Sequence, residues 1–533
     1  NIMNKILFMT LVTVSSLTVS AQETYENAIL ANEDLNGTAR YVGMGGALEA
    51  LGADISTIGS NPAGIGLFRK SSISTSFGLV SQDGVKSFRN ADKTNMSFDQ
   101  IGLVYSTKLD RNSILNFGFN YHKSKNFNQI LSAAGRLENA SQNKLSYLKG
   151  LNGIFDVGQN DNGAFVGYNG NDYSLAYNQI DYLYYNALLF NDKDNMSYYN
   201  NANGYMFNRG SSGYIGEYDF NVSGNVNDRF YWGVTFGIHD VHYKGESMYT
   251  ETLVDENKAA IGDVTINDTR EITGKGFDVK AGIIFRPVES SPFRVGLYVH
   301  TPVWYDLKTS NYTTLLNGTS VGMYDDGHIA ETYEFKFYTP WKFGVSLGHT
   351  VGNNLAIGAT YEYADYGSSK MRVNDGGYYD AYWGDYYETS SNDAVMNHHI
   401  GETLKGVSTL KVGAEYKVAP GFSVRLGYNY VSPMYKKSGF KDGTLPSYGS
   451  YYSSATDYTN WDATNRITAG FGYSHGKWNF DLAYAYSETK GDFYPFRSYY
   501  PVEGEDASNA NVAPGAKVNN KRNQLLVTVG YRF

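Results

Sequence analysis

The feature that most constrains this chain is a pair of alternating segments joined by a very short turn. In the first pair, residues 99–110 and 113–123, the side chains of Ile101, Leu103 and Tyr105 share one face of the first segment. Successive residues of a strand point to opposite sides, so each segment has an apolar face and a wetter one. The pattern predicts antiparallel strand pairs that lie between an apolar environment and a more polar one.

The same pair recurs along most of the chain. The six pairs are predicted at 99–123, 218–243, 276–302, 341–366, 409–431 and 466–488. An opening strand at 71–80 and a last strand at 522–533 bring the total to about fourteen. Single-chain bacterial membrane barrels have an even number of strands, which agrees with this total.

The connections between the predicted strands alternate strictly between short and long. The long ones are predicted at 81–98, 127–213, 247–271, 309–330, 370–404, 436–463 and 489–520. A barrel with short periplasmic turns and long extracellular loops produces this alternation, whereas a soluble sandwich has no reason to place all long loops at one end. Most segments are also near the ~9–11 residues that a tilted strand needs to cross a bilayer. The fold predicted is all-β, a transmembrane antiparallel β-barrel.

The last predicted strand supports a closed barrel. Leu525, Val527, Val529, Tyr531 and Phe533 lie on one face of it. A final strand that ends in an aromatic residue looks like the signal read by the bacterial outer-membrane insertion machinery. An ordinary apolar edge strand is the alternative, but it would leave an exposed edge unless the barrel closes.

Composition narrows the function classes. The 533 residues include 48 Tyr and 58 Gly, and the mean hydropathy is -0.40, so a bundle of membrane helices is excluded. There is no cysteine, which excludes disulfides, thiolate metal sites and cysteine nucleophiles. The net charge of -9 comes without any block of Lys or Arg, so a nucleic-acid partner is not expected.

The first residues form a targeting segment. With Met3 as the expected start, Lys5 gives a positive region, an apolar run follows, and Val19–Ala21 are small residues typical of a cleavage site before Gln22. The apolar run is short and rich in Ser and Thr for a membrane anchor. Residues 1–21 are therefore predicted to be a signal peptide, and any later membrane residence must use strands.

The segment between the signal peptide and the first strand is rich in glycine. It contains the sequence GTARYVGMGGALEALGADISTIGSNPAGIGLF, with Asn61, Pro62 and Ala63 near its end. This segment resembles the N-terminal hatch of the FadL/TodX-type (OMPP1-like) outer-membrane transport proteins. The stretches YTPWKFGVSLGHTVGNNLAIGATYEYADYGSSKM and VGAEYKVAPGFSVRLGYNYVSP resemble barrel hairpins of the same family.

The resemblance implies a division of the chain and a function. Residues 22–70 are expected to fold as a plug inside the lumen, and residues 71–533 are expected to form the barrel wall and its loops. The family passes hydrophobic molecules, such as long-chain fatty acids or aromatic hydrocarbons, inward across the outer membrane. The long loop 127–213 departs from the better-known members of the family.

Three sets of candidate site residues follow. The expected ligand pocket between hatch and wall involves Leu48, Leu51, Ile65, Leu67 and Phe68. The long loops contain one markedly apolar stretch, with Tyr182, Leu183, Leu188, Leu189 and Phe190. It is predicted to be either a local helix packed on the loop's own core or a landing groove for substrate. Strand parity places five cations toward the lumen, where one or two could meet a carboxylate: Lys108, Arg294, Lys411, Arg425 and Arg532.

Other motifs favour ordinary structural roles. The sequence GYSHG around Ser474 matches an esterase pattern but ends a strand without a following helix, and GMGGAL at 43–48 lacks the preceding strand of a dinucleotide loop. His398 and His399 lie in a predicted loop, where they are surface or lumen histidines or ligands for haem or a metal. His239 and His242 are three apart on a strand, so they point to opposite faces and suit no common metal.

The sequence thus favours a passive outer-membrane channel for hydrophobic small molecules such as long-chain fatty acids. The alternatives are a haemin-binding receptor on the same barrel and a structural or adhesive barrel with a permanently shut lumen. We expect no enzymatic activity, no cofactor and no metal. The expected partners are the apolar ligand, outer-membrane lipids and lipopolysaccharide, and the expected form is a monomer.

Overall fold

The structure is a computed structural model that describes residues 23–159, 165–169, 172–173, 178–191, 196–322 and 326–533. The predicted signal peptide, residues 1–21, lies outside the described residues. No helix in the described part of the chain is both long and apolar enough to cross a membrane.

The described part of the chain is built mainly of β-strands. In chain order they are β1 Ser72–Asp83, β2 Thr94–Lys108, β3 Ile114–Asn126, β4 Gln129–Ala140, β5 Asp156–Gln159, β6 Phe165–Asn169, β7 Asp172–Tyr173, β8 Phe190–Asn191, β9 Met196–Ser197, β10 Ala202–Val226, β11 Phe230–Val254, β12 Ala260–Phe285, β13 Arg294–His300, β14 Trp304–Asn317, β15 Asp326–Tyr338, β16 Lys342–Val351, β17 Leu355–Asp365, β18 Lys370–Asp380, β19 Asp385–Asn392, β20 Gly406–Ala419, β21 Phe422–Val431, β22 Tyr458–His475, β23 Trp478–Tyr494 and β24 Ala516–Arg532. The helices are α1 Thr24–Ala31, α2 Ala39–Gly43, α3 Gln142–Leu151, α4 Gln179–Tyr184, α5 Ala394–Thr403 and α6 Tyr448–Tyr451.

Fourteen of these strands form a closed antiparallel barrel. Around the wall they follow the order β1, β2, β3, β10, β11, β12, β13, β16, β17, β20, β21, β22, β23, β24. The wall closes where β1 pairs with β24, in register from Ser72 opposite Arg532 to Asp83 opposite Lys521. Each of the fourteen predicted strands is present, and the predicted fold class is confirmed.

The outer face of the wall carries an apolar band. In β11 the outward side chains of Val234, Phe236 and Ile238 are 46%, 44% and 36% exposed. The next outward residues, Asp240 and His242, are polar, so the apolar part of this face covers about nine residues. That is the length a tilted strand needs to cross the hydrocarbon core of a bilayer.

Several strands continue beyond the apolar band. β10 and β11 have 25 residues each and β12 has 26, which is more than twice the ~9–11 residues that a tilted strand needs to cross a bilayer. Parts of the predicted loops 127–213, 247–271, 309–330 and 370–404 are therefore strands that extend the wall on the long-loop side. The extension is polar outside and buries apolar side chains inside, because it stands in water and encloses a core of its own.

The hatch occupies the lumen as a series of short helical turns. After α1 and α2 come two 3₁₀ turns, Ile55–Gly59 and Pro62–Leu67, and the chain then enters β1. Wall side chains satisfy the hatch backbone: Thr235 Oγ1 donates to Ile58 O at 3.0 Å, and Asn116 Nδ2 donates to Ile65 O at 2.8 Å. Such pairing matters because a buried backbone carbonyl without a partner is strongly unfavourable.

A test of the outer face compares two substitutions. Val234→Arg places a charge near the middle of the apolar band, and we expect it to lower the free energy of unfolding in lipid vesicles by about 2–4 kcal/mol. Thr273→Arg, on the outer face of β12 above the band, should change it by less than about 1 kcal/mol. Urea titration followed by tryptophan fluorescence measures both, and equal effects would contradict the placement of the bilayer.

Candidate functional site

The motif Asn61-Pro62-Ala63 fixes the end of the hatch to the wall. Asn61 Oδ1 accepts from Ala63 N at 3.2 Å and caps the turn Pro62–Leu67, while Asn61 Nδ2 donates to Glu49 O at 3.0 Å. The turn lies over the wall glycines Gly233 and Gly282, which face each other on β11 and β12. A Cβ at either glycine would overlap the motif, so these positions need glycine for close approach.

A second contact of the same kind holds the turn after α2. Met44 O lies so close to Gly413 of β20 that a Cβ there would overlap it, and Gly427 of β21 is covered in the same way. Asn429 Nδ2 donates to Gly45 O at 3.1 Å beside this contact. Glycines on the inner face of the wall thus bring hatch and wall backbones together.

Buried ion pairs join hatch and wall between these contacts. Lys411 Nζ lies 2.8 Å from Glu49 Oε1 of the hatch. Arg40 of the hatch and Arg425 of the wall share Glu415, at 3.0 and 2.6 Å. Breaking one partner of a buried pair leaves an uncompensated charge, so these pairs resist displacement of the hatch.

Above the hatch lies a cavity of about 390 Å³. The hatch segment 25–36 forms one side of it, and strands from β3 round to β24 form the rest. The volume is within the range of small-molecule pockets. The cavity is therefore a candidate binding site.

One side of the cavity carries surplus positive charge. Four cations line it there: Lys123, Lys125, Arg466 and Arg522. The carboxylates that act on them are Asp34, 3.3 Å from Lys125 Nζ, and Asp99. Asp34 also lies 3.8 Å from Arg522 Nη1, so two carboxylates face four cations and a net positive charge remains on this side.

Asp34 shows the strength of this positive field. Burial by itself raises the pKa of Asp34, but the positive charges of Lys125, Arg522 and Arg466 outweigh burial and bring the pKa to about 2. Asp34 therefore stays ionised at any physiological pH. A second anionic group entering the cavity would meet the same cations.

The other cations that line the cavity are already paired. Each has a carboxylate within 4 Å: Arg209 with Asp457, Arg270 with Glu26, Lys342 with Glu33, Lys411 with Glu49, and Lys441 with Glu26. The surplus is thus confined to one side.

Another part of the lining is apolar. It includes Leu30 of α1, Ile272 of β12, Val407 of β20 and Met434, which belong to one continuous apolar cluster. The cavity therefore combines an apolar wall with a cationic one. This arrangement suits a ligand that has an apolar body and an anionic group.

The predicted pocket residues of the hatch lie elsewhere. In the described part of the chain, none of the five lines the cavity. Leu48 and Leu51 pack against Tyr41 and Met44, Ile65 and Phe68 pack with neighbouring hatch residues and Val104, and Leu67 packs against Ala63, Tyr231 and Ile284. Their role in ligand binding stays a prediction that would need a movement of the hatch.

The predicted loop residues form part of an apolar core at the long-loop end of the barrel. Residues 179–189 form α4 and a π-helical turn, and Leu183, Leu188 and Leu189 are at most 5% exposed. Tyr182 and Phe190 are partly buried against the same core. This matches the local-helix alternative, and a landing role stays a prediction.

The predicted carboxylate-binding cations are placed differently from one another. Lys411 and Arg425 are held in ion pairs with two carboxylates each. Arg294 Nη1 donates to Leu51 O at 2.8 Å, whereas Lys108 and Arg532 are exposed near the ends of their strands. None of these belongs to the four cations on the positive side of the cavity.

The four cations on the positive side of the cavity were missed for two reasons. The pairing of β3 with β10 shifts between Ile215 and Gly216, which face Lys125 and Lys123. This β-bulge skips Ser124 and places Lys125 opposite the buried Ile215 on the luminal side, where simple alternation from Ile101 onward does not place it. Arg466 and Arg522 have inward parity, but each stood at the first residue of a predicted strand.

The candidate haem ligands are already engaged. His399 Nδ1 lies 2.9 Å from Thr24 Oγ1, and His399 Nε2 lies 3.0 Å from Phe440 O. His398 is exposed and lies 3.2 Å from Glu402. Ser474 ends β22 at a hairpin with β23, so the structural reading of GYSHG is confirmed.

The closed strand order, the apolar outer band and the plugged lumen define the class. Only helices and closed barrels satisfy their backbone hydrogen bonds in lipid, and this barrel has an outer face of the right height. The protein is a plugged transmembrane β-barrel of the bacterial outer-membrane class.

The chain is similar to solved structures of such barrels. It matches no protein-family model and no curated protein sequence. The solved structures include a Pseudomonas aeruginosa FadL homologue (12% identity, 94% of this chain and 100% of that chain, TM-score 0.48), the Ralstonia pickettii toluene transporter TbuX (12%, 94% and 99%, 0.46) and the Pseudomonas putida toluene transporter TodX (9%, 94% and 100%, 0.47). The FadL homologue and TodX are of the FadL/TodX type that the hatch sequence resembles. Transport of toluene is a property of TbuX and TodX.

The close contact of hatch and wall can be tested at one glycine. Gly413→Ala places a Cβ against Met44 O, and such overpacking destabilises by about 1–3 kcal/mol. We expect the hatch to shift and single-channel conductance in planar bilayers to rise. Gly530→Ala is the control, because its Cβ would meet nothing closer than 3.7 Å. Equal conductance in the two variants would contradict the seating of the hatch.

Proposed function

We propose that this protein is a passive channel of the bacterial outer membrane that takes up hydrophobic small molecules carrying an anionic group, such as long-chain fatty acids. The observation that carries the proposal is the cavity above the hatch, with an apolar wall facing surplus cations. The closed wall needs no partner chain, so the proposed unit is a monomer in contact with outer-membrane lipid and lipopolysaccharide.

The apolar wall supplies the affinity for the hydrocarbon part. Each methylene that leaves water for an apolar surface contributes about 0.8 kcal/mol. A chain lying along Leu30, Val407 and Met434 would be held in this way. The ligand then moves down its concentration gradient once the hatch shifts.

The cationic wall supplies the selectivity for the head group. Arg466 and Arg522 present guanidinium groups, which bind a carboxylate through two parallel hydrogen bonds. Lys125 is hydrogen-bonded to Asp34 in the free protein, and Asp34 thereby neutralises part of the positive charge of Lys125. The carboxylate of a fatty acid would complete the charge balance of this side.

The head-group assignment predicts a difference between an acid and an alcohol of equal length. In the double variant Arg466→Gln/Arg522→Gln we expect the affinity for oleate to fall about tenfold or more, because charge-assisted hydrogen bonds are lost. The affinity for oleyl alcohol should change less than about twofold. Displacement of a fluorescent fatty acid from purified protein measures both ligands.

The exposed Arg111→Gln is the control for this pair, since it removes a guanidinium from a short turn outside the lumen. Equal losses for oleate and oleyl alcohol would contradict the head-group assignment. Uptake of labelled oleate by cells with and without the protein tests transport itself, and identical uptake rates would reject the channel.

A barrel with a permanently shut lumen is the competing proposal. Deletion of residues 22–60 removes most of the hatch while the β1–β24 closure remains. A plugged channel should then gain conductance in planar bilayers. An unchanged conductance in a correctly folded deletion variant would favour a structural or adhesive barrel.

A further inference from the structure

A short segment of the hatch reaches the cationic side of the cavity and supplies a carboxylate there. Residues 32–36 lie between α1 and α2 and line the cavity. Asp34 is the carboxylate of this segment that faces Lys125 and Arg522. The hatch therefore already places one anion in the proposed head-group site.

Asp34 also fastens the hatch to β3 at the position of the bulge. Asp34 N donates to Ser124 O at 2.8 Å, and Asn126 N donates to Asp34 Oδ2 at 2.9 Å. Lys125 Nζ donates to Asp34 Oδ1 at 3.3 Å, and Arg522 Nη1 lies 3.8 Å from Asp34 Oδ2. One carboxylate thus holds the hatch to the wall and faces two of the four cations.

The two arginines of the site keep donors for a second anion. Arg466 Nη1 donates to the neutral Asn429 Oδ1 at 2.8 Å, and Arg522 Nη1 donates to the backbone carbonyl of Asn126 at 3.3 Å. Among the described residues, neither guanidinium has a carboxylate within hydrogen-bond distance, since Asp34 is 3.8 Å from Arg522. A head group bound to these arginines would share Arg522 with Asp34.

Sharing a cation makes the head group and Asp34 competitors. Two carboxylates in one cationic site repel each other, so each weakens the hold of the cations on the other. The effect is reciprocal, because binding at two linked sites must couple equally in both directions. An uncharged head group of the same size has no such repulsion and leaves the contacts of Asp34 as they are.

Other bonds of the segment limit how far a loosened hatch would open. Asn36 Nδ2 donates to Asp99 Oδ1 at 2.9 Å and to Lys123 O at 3.0 Å. Gln524 Nε2 donates to Asn36 Oδ1 at 3.0 Å. None of these bonds involves the cations that Asp34 faces, so the loosened stretch ends at Asn36.

We propose that Asp34 is a tethered competitor for the anionic head group, and that an arriving head group takes Lys125 and Arg522 from it and loosens residues 32–35 of the hatch. The inference rests on the proposed function, because it takes the ligand to be an anionic amphiphile. It makes Asp34 the residue that sets the affinity for the head group and links its charge to the hatch.

Affinity measurements on the purified full-length mature protein test the competition. Asp34→Asn keeps the shape of the side chain and removes its charge, so we expect the affinity for oleate to rise about fivefold or more. The affinity for oleyl alcohol should change less than about twofold. Displacement of a fluorescent fatty acid measures both ligands.

Two matched variants separate competition from a general effect of charge. Asp34→Glu keeps the competing carboxylate, so its affinity for oleate should stay close to that of the wild type. Glu256→Gln removes one negative charge from the exposed turn between β11 and β12, outside the cavity, and should leave both affinities unchanged.

Amide hydrogen exchange followed by mass spectrometry tests the loosening. We expect oleate to speed exchange in wild-type peptides that cover residues 32–35, because the bond from Asp34 N to Ser124 O opens more often. Oleyl alcohol should not speed it. Without ligand, Asp34→Asn should already exchange faster there than the wild type.

The outcomes distinguish this inference from the proposed function. Unchanged or weaker oleate binding by Asp34→Asn, in a variant whose heat-dependent gel migration shows a folded barrel, would overturn this inference alone. Equal exchange of residues 32–35 with oleate and with oleyl alcohol would do the same, and this wild-type experiment decides if Asp34→Asn does not fold. Equal losses for the two ligands in Arg466→Gln/Arg522→Gln would instead reject the head-group site, and this inference with it.

Discussion

Every feature of this protein depends on the pairing of its first barrel strand with its last. In a bilayer no water is available to unpaired N–H and C=O groups, so a sheet of fourteen strands is stable there only if its edges meet. β1 and β24 meet over twelve residues, from Ser72 to Asp83. Closure separates an apolar outside from a polar inside, and it also creates a lumen that must be filled or left open.

The hatch fills that lumen through backbone contact rather than through a large apolar core. Glycines of β11, β12, β20 and β21 let the hatch turns approach the wall, and wall side chains such as Thr235 and Asn116 bind the hatch carbonyls. Directional hydrogen bonds and buried ion pairs of this kind fix one position of a plug. They also mean that a movement of the hatch would break several discrete interactions together, which favours a gate with distinct states.

The polar interior and the proposed hydrophobic ligand are compatible because the charges are not evenly balanced. Most luminal cations have a carboxylate partner, so they are neutralised locally and stabilise the fold. The exception is the cationic side of the cavity, where two carboxylates face Lys123, Lys125, Arg466 and Arg522. This cationic side suits the anionic head group of the proposed ligand.

The sequence by itself determined the barrel, because the alternation of apolar and polar residues along each strand can be read from that strand alone. Val234, Phe236 and Ile238, for example, identify the outward face of their strand without any knowledge of the strands beside it. Fourteen strands, their order and the position of the plug sequence followed from this pattern and from the hatch resemblance. The lengths of β10, β11 and β12 did not, because beyond the apolar band the outward face is polar and the strand resembles a loop.

Only the tertiary structure decided the sites, because they depend on register and on contacts between distant segments. A single bulge beside Ser124 turns Lys125 into the lumen, and alternation cannot reveal a bulge. Lys411 and Arg425 have the inward parity that the sequence showed, but carboxylates of the hatch and of neighbouring strands occupy them. Whether a luminal charge binds a ligand or a neighbour is set by which residues meet across the closed wall, and that information lies in the fold.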